Sequence, residues 1–237
     1  MITALIPTKT DKYIANALLA FEISEPKSAH KVIVGDNGLS HDAGFAASEL
    51  GARLLPIPNP FNFSRAINAL AHAAPLNSHL LIMNDDAAIA SPLWSLHCER
   101  ILSDDRFADY GLISLQIDGG VGNPDQSLKS HPLMPLDVLF TDKTVCFVAA
   151  LVRREVWASV GPLDEQFVGY GYEDDDYCMR VRRAGWKIGV TGAAYVTHGQ
   201  DGYPHSSTYQ KLHGTKRWEE LSAFNRQLFL SKWGVRT

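Results

Sequence analysis

The sequence predicts an α/β fold, a Rossmann-like and mostly parallel sheet flanked by helices within a single compact domain of residues 1–237. Short runs rich in Ile, Val and Leu alternate with longer stretches of helical spacing, as expected of successive βα units. The composition, with 46% hydrophobic and 20% charged residues, is that of an ordinary globular protein. A chain of this length can bury one sizeable core.

The first half of the chain alternates predicted strands and helices. Strands are expected at residues 2–7, 31–34, 52–57, 79–83 and 111–117, and helices at 13–23, 42–50, about 62–74 and 91–102. Asn62 or Ser64 can cap the third of these helices, whose apolar residues recur at helical spacing. Ser91 followed by Pro92 has the pattern of a cap with proline in the first turn, which predicts the start of the fourth helix.

The second half of the chain is less regular. Residues 118–143 contain glycines, prolines and scattered polar residues without a clear period, and so long a connection is typical of a functional loop. A strand follows at 145–153, a short helix at 155–160, an acidic helix at 174–184 and a last strand at 188–196. In the tail, residues 206–237, five side chains are spaced like one face of a helix: Trp218, Leu221, Phe224, Leu228 and Phe229.

Charge and cysteine content narrow the classes of function. The chain has 22 basic and 26 acidic residues and a net charge of −4, so it lacks the overall basic field that drives sequence-independent nucleic-acid binding. Cys98, Cys146 and Cys178 are odd in number and widely spaced, which indicates reduced thiols and a cytoplasmic location. The start of the chain has no basic leader, and no apolar run reaches the ~20 residues that span a bilayer, so no membrane span is expected.

Polar residues stand at the carboxyl ends of three predicted strands, the edge at which open α/β sheets bind ligands. They are Pro7-Thr8, Asp36-Asn37 and Asn84-Asp85-Asp86. Asp36 can accept hydrogen bonds from a nucleotide's base or ribose, or it can simply close a turn. Asp85 and Asp86 offer hard oxygen ligands for Mg²⁺ or Mn²⁺, although a solvated turn after a buried strand would have the same composition.

Four consecutive carboxylates, Glu173 to Asp176, stand where a glycine-rich stretch meets the predicted acidic helix. Acidic residues are favoured in the first turn of a helix, but four exceed what capping needs. A carboxylate at such a junction is well placed to act as a general base. Asp174 and Glu173 are the candidates, and helix capping is the alternative role of Asp174.

In this order, the motifs resemble those of family 2 glycosyltransferases of the GT-A fold. The resemblance spans nearly the whole chain and depends on Pro7-Thr8, Asp36-Asn37-Gly38, Asn84-Asp85-Asp86 as a DxD-like motif, Cys146-Phe147-Val148-Ala149-Ala150, Val160-Gly161-Pro162-Leu163-Asp164-Glu165, Gly171-Tyr172-Glu173-Asp174-x-Asp176 and Lys232-Trp233-Gly234. One departure is that Asn84 occupies the first position of the DxD-like motif. Metal binding in this motif must therefore rest on Asp86.

The resemblance implies a nucleoside-diphosphate sugar donor, a divalent metal, and transfer to an acceptor hydroxyl, as on a saccharide, with inversion at the anomeric carbon. Asp174 is the implied base, with Glu173 as its competitor. His198 resembles the late histidine that completes the metal shell, which favours Mn²⁺ over Mg²⁺, although a histidine after a strand can also be structural. The donor would be held within residues 1–117 by Pro7, Thr8, Asp36, Asn37, Asn84, Asp85 and, unless it is only a helix residue, Asn68, while residues 118–237 would serve the acceptor and catalysis.

Two other functions suit the same pattern. A nucleotidyltransferase could use a similar sheet and paired aspartates, but the chain has no glycine-rich, lysine-bearing phosphate loop near residue 10. A non-catalytic module that binds a nucleotide or sugar could hold a metal through the same carboxylates. A nucleic-acid acceptor is conceivable for a glycosyltransferase of this size, but the acidic balance of the chain does not favour it.

Overall fold

The strands form one nine-stranded sheet. The structure, a computed structural model, describes residues 1–25, 30–199 and 215–234. Its strands are β1 (Ile2–Thr8), β2 (His30–Asp36), β3 (Arg53–Pro56), β4 (His79–Met83), β5 (Ala87–Ile89), β6 (Tyr110–Gly119), β7 (Val138–Phe140), β8 (Ala149–Val152) and β9 (Lys187–His198). Its helices are α1 (Asp11–Ser24), α2 (His41–Glu49), α3 (Phe63–Ala73), α4 (Trp94–Ser103), α5 (Arg154–Val160), α6 (Glu173–Arg183) and α7 (Thr215–Trp233).

The sheet order is β3-β2-β1-β4-β8-β6-β9-β5, with β7 paired to β9. The first four strands are parallel, as the βα pattern predicts, so the carboxyl ends of β1, β2 and β4 meet at one edge. The register aligns Thr8 at the end of β1 with Asp36 at the end of β2. This edge is where the predicted donor-binding residues at the ends of β1, β2 and β4 converge.

The rest of the sheet pairs in both directions. β8 lies antiparallel to both β4 and β6, because the chain returns to it from β6 without a crossover helix. β9 runs parallel to β6, and β5 and β7 run antiparallel to β9. The sequence did not predict β5 and β7, which are three residues long and too short to show a period.

Helices cover both faces of the sheet. On one face, Ile14 and Phe21 of α1 pack with Trp94 of α4 in a buried apolar cluster. On the other face, Leu70 of α3 and Tyr177 of α6 belong to a second buried cluster, which α5 joins. Each cluster buries the apolar stripe of its helices against the central strands, which fixes the helix ends at the edges of the sheet.

The start of α3 confirms one predicted cap, and the start of α4 does not. Asn62 Oδ1 accepts a hydrogen bond from the backbone N–H of Arg65 at 2.8 Å. The predicted cap at Ser91 is wrong, because α4 begins at Trp94 and the Ser91 hydroxyl accepts from the N–H of Tyr195 at 2.9 Å. A carboxylate distant in sequence takes its place, since Glu25 Oε1 accepts from the N–H of Ser95 at 3.0 Å.

The irregular segment 118–143 is fastened to the sheet. It contains a 3₁₀ turn at Pro124–Gln126 and the strand β7. The buried amide of Gln126 donates to Ser114 Oγ at 2.7 Å and to the carbonyl of Cys146 at 3.0 Å, and its oxygen accepts from the N–H of Cys146 at 2.8 Å. These bonds give the segment a defined path without a repeating pattern.

The last described helix, α7, contacts the acidic helix through Lys232 and Trp233. Of the five residues predicted to face inward, Phe229 is buried, whereas Phe224 is 54% exposed. The fully buried residue of this helix is Asn225, which the hydrophobic pattern did not identify. Residues 200–214 and 235–237, which include part of the predicted tail, lie outside the described residues. Within the described ranges, no helix combines the length and hydrophobicity that crossing a membrane requires.

Candidate active site

Thr8 and Asp85 join the ends of β1 and β4. The Thr8 hydroxyl is buried and lies 2.6 Å from Asp85 Oδ2, to which it donates a hydrogen bond. Burial raises the pKa of Asp85 to about 7, with the charge of Asp86 adding to the rise and the bond from Thr8 opposing it. Pro7, also buried, precedes Thr8 in the same strand. Asn84 is partly exposed, and its backbone carbonyl accepts from the N–H of Ala87, which closes the turn that carries both aspartates.

The residues after β2 shape the wall of this edge. Asp36 Oδ1 accepts from the N–H groups of Gly38 and Leu39, each at 2.8 Å, as a turn-forming aspartate does. Asn37 is buried and donates through Nδ2 to the carbonyls of Ile57 at 2.9 Å and Pro58 at 3.2 Å. Asn37 therefore braces the segment after β3, while Asp36 remains partly exposed at the edge that it shares with Thr8.

Asn68 lies apart from these residues. Its Oδ1 accepts from the N–H of Leu163 at 2.8 Å, and its Nδ2 donates to the carbonyl of Leu163 and to Glu165 Oε1, both at 2.9 Å. The amide is therefore committed to the segment between α5 and α6. The structure does not bring Asn68 to the group formed by Thr8 and Asp85.

Asp86 and His198 form the pair that could hold a metal ion. His198 Nε2 lies 3.3 Å from Asp86 Oδ1, and the imidazole is 4% exposed. His198 Nδ1 lies 3.1 Å from the carbonyl oxygen of Gly120. A carbonyl only accepts hydrogen bonds, so we assign a ring proton to Nδ1, and Nε2 is the ring nitrogen that lies near Asp86.

A divalent cation fits this pair. Neighbouring ligands in an octahedral shell lie about 3 Å apart, which is close to the observed separation of Nε2 and Oδ1. A carboxylate oxygen and an imidazole nitrogen suit Mn²⁺, and the Gly120 carbonyl fixes the tautomer in the way that outer-shell partners do. The described residues contain no group of three His, Cys, Asp or Glu side chains arranged for a metal, so further ligands would have to come from elsewhere.

A hollow of ≈ 270 Å³ opens beside this pair. Asp85, Asp86 and Thr197 form one wall, and Lys12, Tyr13 and Asn16 of α1 form the other.

The structure distinguishes the two candidate bases. Glu173 is buried, and its Oε2 accepts from the N–H of Gly171 at 2.5 Å, so this carboxylate turns back onto its own loop. Asp174 is partly exposed, and its Oδ1 accepts from the N–H of Asp175 at 2.9 Å. Burial, followed by the charge of Asp175, raises the pKa of Asp174 to about 7. Asp174 is thus the one of the two carboxylates that a substrate could reach.

Tyr170 lies in the loop that precedes the acidic helix. Its ring is 38% exposed and contacts Phe63 edge to face at 5.7 Å between centroids. Its pKa is raised well above the ordinary value, by burial of the hydroxyl first, then by the charges of Asp174 and Glu173, and also by that of Asp86. Carboxylates from both halves of the chain therefore disfavour ionisation of this one phenol.

No protein-family model matches the sequence. An uncharacterized protein, y4gI, of Sinorhizobium fredii is 23% identical over 228 residues, which cover 84% of this chain and 24% of that protein. This chain therefore spans about a quarter of the length of the curated relative that it matches.

Three solved structures are similar to this one, as TM-score, identity and coverage of each chain show. GalNAc-T7 with UDP, GalNAc and Mn²⁺ has a TM-score of 0.66 and 12% sequence identity. The match covers 84% of this chain and 43% of that chain. The mannosyltransferase PcManGT from Pyrobaculum calidifontis, in complex with GDP-Man and Mn²⁺, has a TM-score of 0.64 and 13% sequence identity. The match covers 97% of this chain and 69% of that chain. Glucosyl-3-phosphoglycerate synthase from Mycobacterium tuberculosis, in complex with Mn²⁺, UDP and phosphoglyceric acid, has a TM-score of 0.63 and 17% sequence identity. The match covers 100% of this chain and 80% of that chain.

The chain has the GT-A fold. The predicted fold class is thereby confirmed, because all three neighbours are glycosyltransferases with this mixed α/β sheet. In this GT-A fold, the turn after β4 carries the DxD-like motif, and α6 carries the acidic residues.

The sequence did not identify two parts of this candidate site. The Gly120 carbonyl orients His198 through the backbone, so no side chain marks it. Tyr170 was visible only as one aromatic residue in the glycine-rich stretch before the acidic helix.

Proposed function

We propose that this protein is an inverting, metal-dependent glycosyltransferase of family 2 that moves a sugar from a nucleoside-diphosphate donor to the hydroxyl of a saccharide acceptor. The observation that carries the proposal is the pair of Asp86 and His198, whose Oδ1 and Nε2 lie 3.3 Å apart beside a hollow at the edge of the sheet where open α/β sheets bind ligands. The three similar glycosyltransferases, which contain Mn²⁺ with UDP or GDP-Man, support it.

Residues 1–117 would bind the donor. Thr8, Asp36 and Asp85 converge at the edge where open α/β sheets bind nucleotides, and Asp85 keeps one carboxylate oxygen, Oδ1, apart from its bond to Thr8. Asp36 can contact the base or ribose through the oxygen that does not close the turn. Asn37 would act indirectly by holding this wall in place.

Asp86 and His198 would hold Mn²⁺, or Mg²⁺ with lower preference. The cation would supply Lewis-acid stabilisation of the negative charge that develops on the nucleoside diphosphate. The protein's own contribution is to bring one oxygen and one nitrogen within 3.3 Å of each other, with His198 oriented by Gly120.

Asp174 would accept the proton of the acceptor hydroxyl. Its pKa of about 7 means that its conjugate base is both available and basic near neutral pH, which is the condition for efficient general-base catalysis. Glu173 would instead shape the loop, because it is buried and bonded to Gly171. Transfer with one base and one displacement leaves the anomeric configuration inverted.

A screen of nucleotide sugars with Mn²⁺ tests the proposal without an acceptor. Slow, Mn²⁺-dependent release of nucleoside diphosphate is the expected result. Release of nucleoside monophosphate or pyrophosphate would identify a nucleotidyltransferase, and binding without turnover would identify a non-catalytic module. The anomeric configuration of the transferred sugar, read by NMR once an acceptor is found, tests inversion.

We also propose that the protein works in the cytoplasm. Cys98, Cys146 and Cys178 are all free thiols, and Cys98 and Cys178 are buried, as expected in a reducing compartment. Localisation of a tagged full chain by microscopy and fractionation tests this proposal.

A further inference from the structure

The amide of Asn225 is buried against the loop that precedes the acidic helix. Its Oδ1 accepts a hydrogen bond from the N–H of Val168 at 2.9 Å. Its Nδ2 donates to the carbonyls of Val168 and Gly171, each at 2.9 Å, and lies 3.4 Å from the carbonyl of Tyr170. One side chain of α7 therefore contacts the backbone of three of the four residues 168–171.

Part of this loop has a backbone shape that its own sequence does not favour, since glycines occupy two of its positive-φ positions but a tyrosine occupies the third. Gly169 and Gly171 have positive φ angles of 67° and 111°, and Tyr172, a non-glycine residue, has φ 69°. A residue with a side chain rarely adopts this conformation unless its surroundings impose it. The backbone N–H and C=O groups of these turns have no helix or strand hydrogen bonds, so they need hydrogen-bond partners from other parts of the chain. Asn225 provides those partners at both ends of the loop.

The loop leads directly into the residues assigned to the chemistry. Gly171 donates to Glu173 in the first turn of α6, and Tyr170 lies within the field of Asp86 and Asp174. Because α6 begins at Glu173, any rotation of the loop changes the direction of the next side chain, Asp174. A displacement of about 1 Å at a general base can reduce the rate about a hundredfold.

We infer that Asn225 is a positioning residue, which holds the loop 168–172 in the shape that directs Asp174 toward the acceptor hydroxyl. The inference rests on the proposed function. Asn225 touches the backbone only and acts through Gly171 and Glu173 on the base.

A second contact makes the inference testable. Trp233 Nε1 donates to the buried carboxylate of Asp176 at 2.9 Å, and Lys232 Nζ lies 2.8 Å from the same oxygen. This contact does not involve Asn225 and holds the end of α7 to α6. Replacement of Asn225 should therefore free the loop without detaching the helix.

The experiment compares full-length wild type, Asn225→Leu and the control Gln227→Ala, an exposed position on the same helix. Donor turnover with Mn²⁺, donor affinity by calorimetry and hydrogen exchange of the loop peptide are measured for each. Asn225→Leu should turn over about tenfold to a hundredfold more slowly, bind donor within about twofold of wild type, and exchange the amides of residues 168–171 faster. Gln227→Ala should match wild type in all three.

Three outcomes would overturn the inference. A wild-type rate of donor turnover in Asn225→Leu would show that the loop keeps its catalytic shape without the hydrogen bonds of Asn225. Equal losses of donor affinity and turnover, with faster exchange throughout the chain, would show a general structural role. Absence of nucleotide release in wild type itself would refute the proposed function and with it the positioning role, and this failure is visible before any variant is made. If Asn225→Leu does not fold, Asn225→Asp preserves the shape and the acceptor for Val168 while removing the donors, and the same expectations apply.

Discussion

Nε2 of His198 lies 3.3 Å from Oδ1 of Asp86 because the strand that carries the histidine pairs with the residues that follow the aspartate. In the antiparallel ladder between β5 and β9, His198 stands opposite Ala87. The register of β5, a strand of three residues, thus brings His198 next to Asp86 in the DxD-like turn. This pairing is invisible in the sequence, although both residues are candidates there.

Removal of either member of this pair should weaken Mn²⁺ binding. Asp86→Ala should abolish the Mn²⁺ dependence of donor binding measured by calorimetry. His198→Ala should lower Mn²⁺ affinity by at least about tenfold, since even outer-shell partners of a metal are worth about 10- to 100-fold. His72→Ala, an exposed histidine on α3, is the matched control and should leave both quantities unchanged. Donor binding by Asp86→Ala with undiminished Mn²⁺ dependence would refute the metal assignment.

Asp174→Asn should reduce sugar transfer by about two to four orders of magnitude while donor affinity stays near that of wild type. The amide keeps the shape of the side chain but cannot take a proton. Asp175→Asn, the same change one residue later, is the control and should retain most of the activity. If the two variants transfer sugar equally well, Asp174 is not the base.

Thermal unfolding should show that the Asp174→Asn variant is correctly folded. A carboxyl group with a raised folded-state pKa destabilises the protein as pH rises from its unfolded pKa of about 4 to its folded pKa of about 7. Above pH 7 the variant lacks this penalty and should be at least as stable as wild type. A lower melting temperature at pH 8 would attribute the loss of activity to misfolding.

The parallel half of the sheet was predictable because its strands and helices show clear local periodicity. The residues at its strand ends were predictable because they directly follow those apolar runs. The predicted convergence of Thr8 and Asp85, for example, follows from the parallel pairing of β1 and β4. The directions of Asn37 and Asn68 were not predictable. Each amide bonds a backbone segment far away in sequence, and those partners exist only once the loops are folded.

Contacts of α7 were unpredictable for a related reason. Hydrophobic spacing identifies the apolar face of a helix, but Asn225 is polar and buried because it satisfies backbone groups of a distant loop. Lys232 and Trp233 were noted as part of the resemblance, and the structure supplies the physical reason. Both donate to Asp176 in the first turn of α6.

Asp176→Asn should destabilise the protein more than the same type of carboxylate-to-amide change does at an exposed position. The carboxylate is 0% exposed and also bonds Arg180 Nε at 2.9 Å, so its removal leaves Arg180 without this counter-charge, while Lys232 keeps its ion pair with Asp164. Loss of one partner from a buried ion pair costs about 3 kcal/mol, which urea unfolding can resolve. Glu219→Gln, an exposed carboxylate on α7, should change the unfolding free energy by less than about 0.5 kcal/mol. Equal stabilities of the two variants would show that Asp176 is not an anchor.

The pH dependence of sugar transfer should follow the ionisation of Asp174. Burial and then the charge of Asp175 raise its pKa to about 7, and a general base acts only when it is deprotonated. At saturating donor and Mn²⁺, kcat should therefore rise about tenfold per pH unit below pH 7 and level off above it. Asp175→Asn removes one of the charges that raise this pKa, so the midpoint of its profile should move to lower pH. A wild-type rate that is constant from about pH 6 to pH 8, or a midpoint that Asp175→Asn does not move, would show that another group controls the reaction.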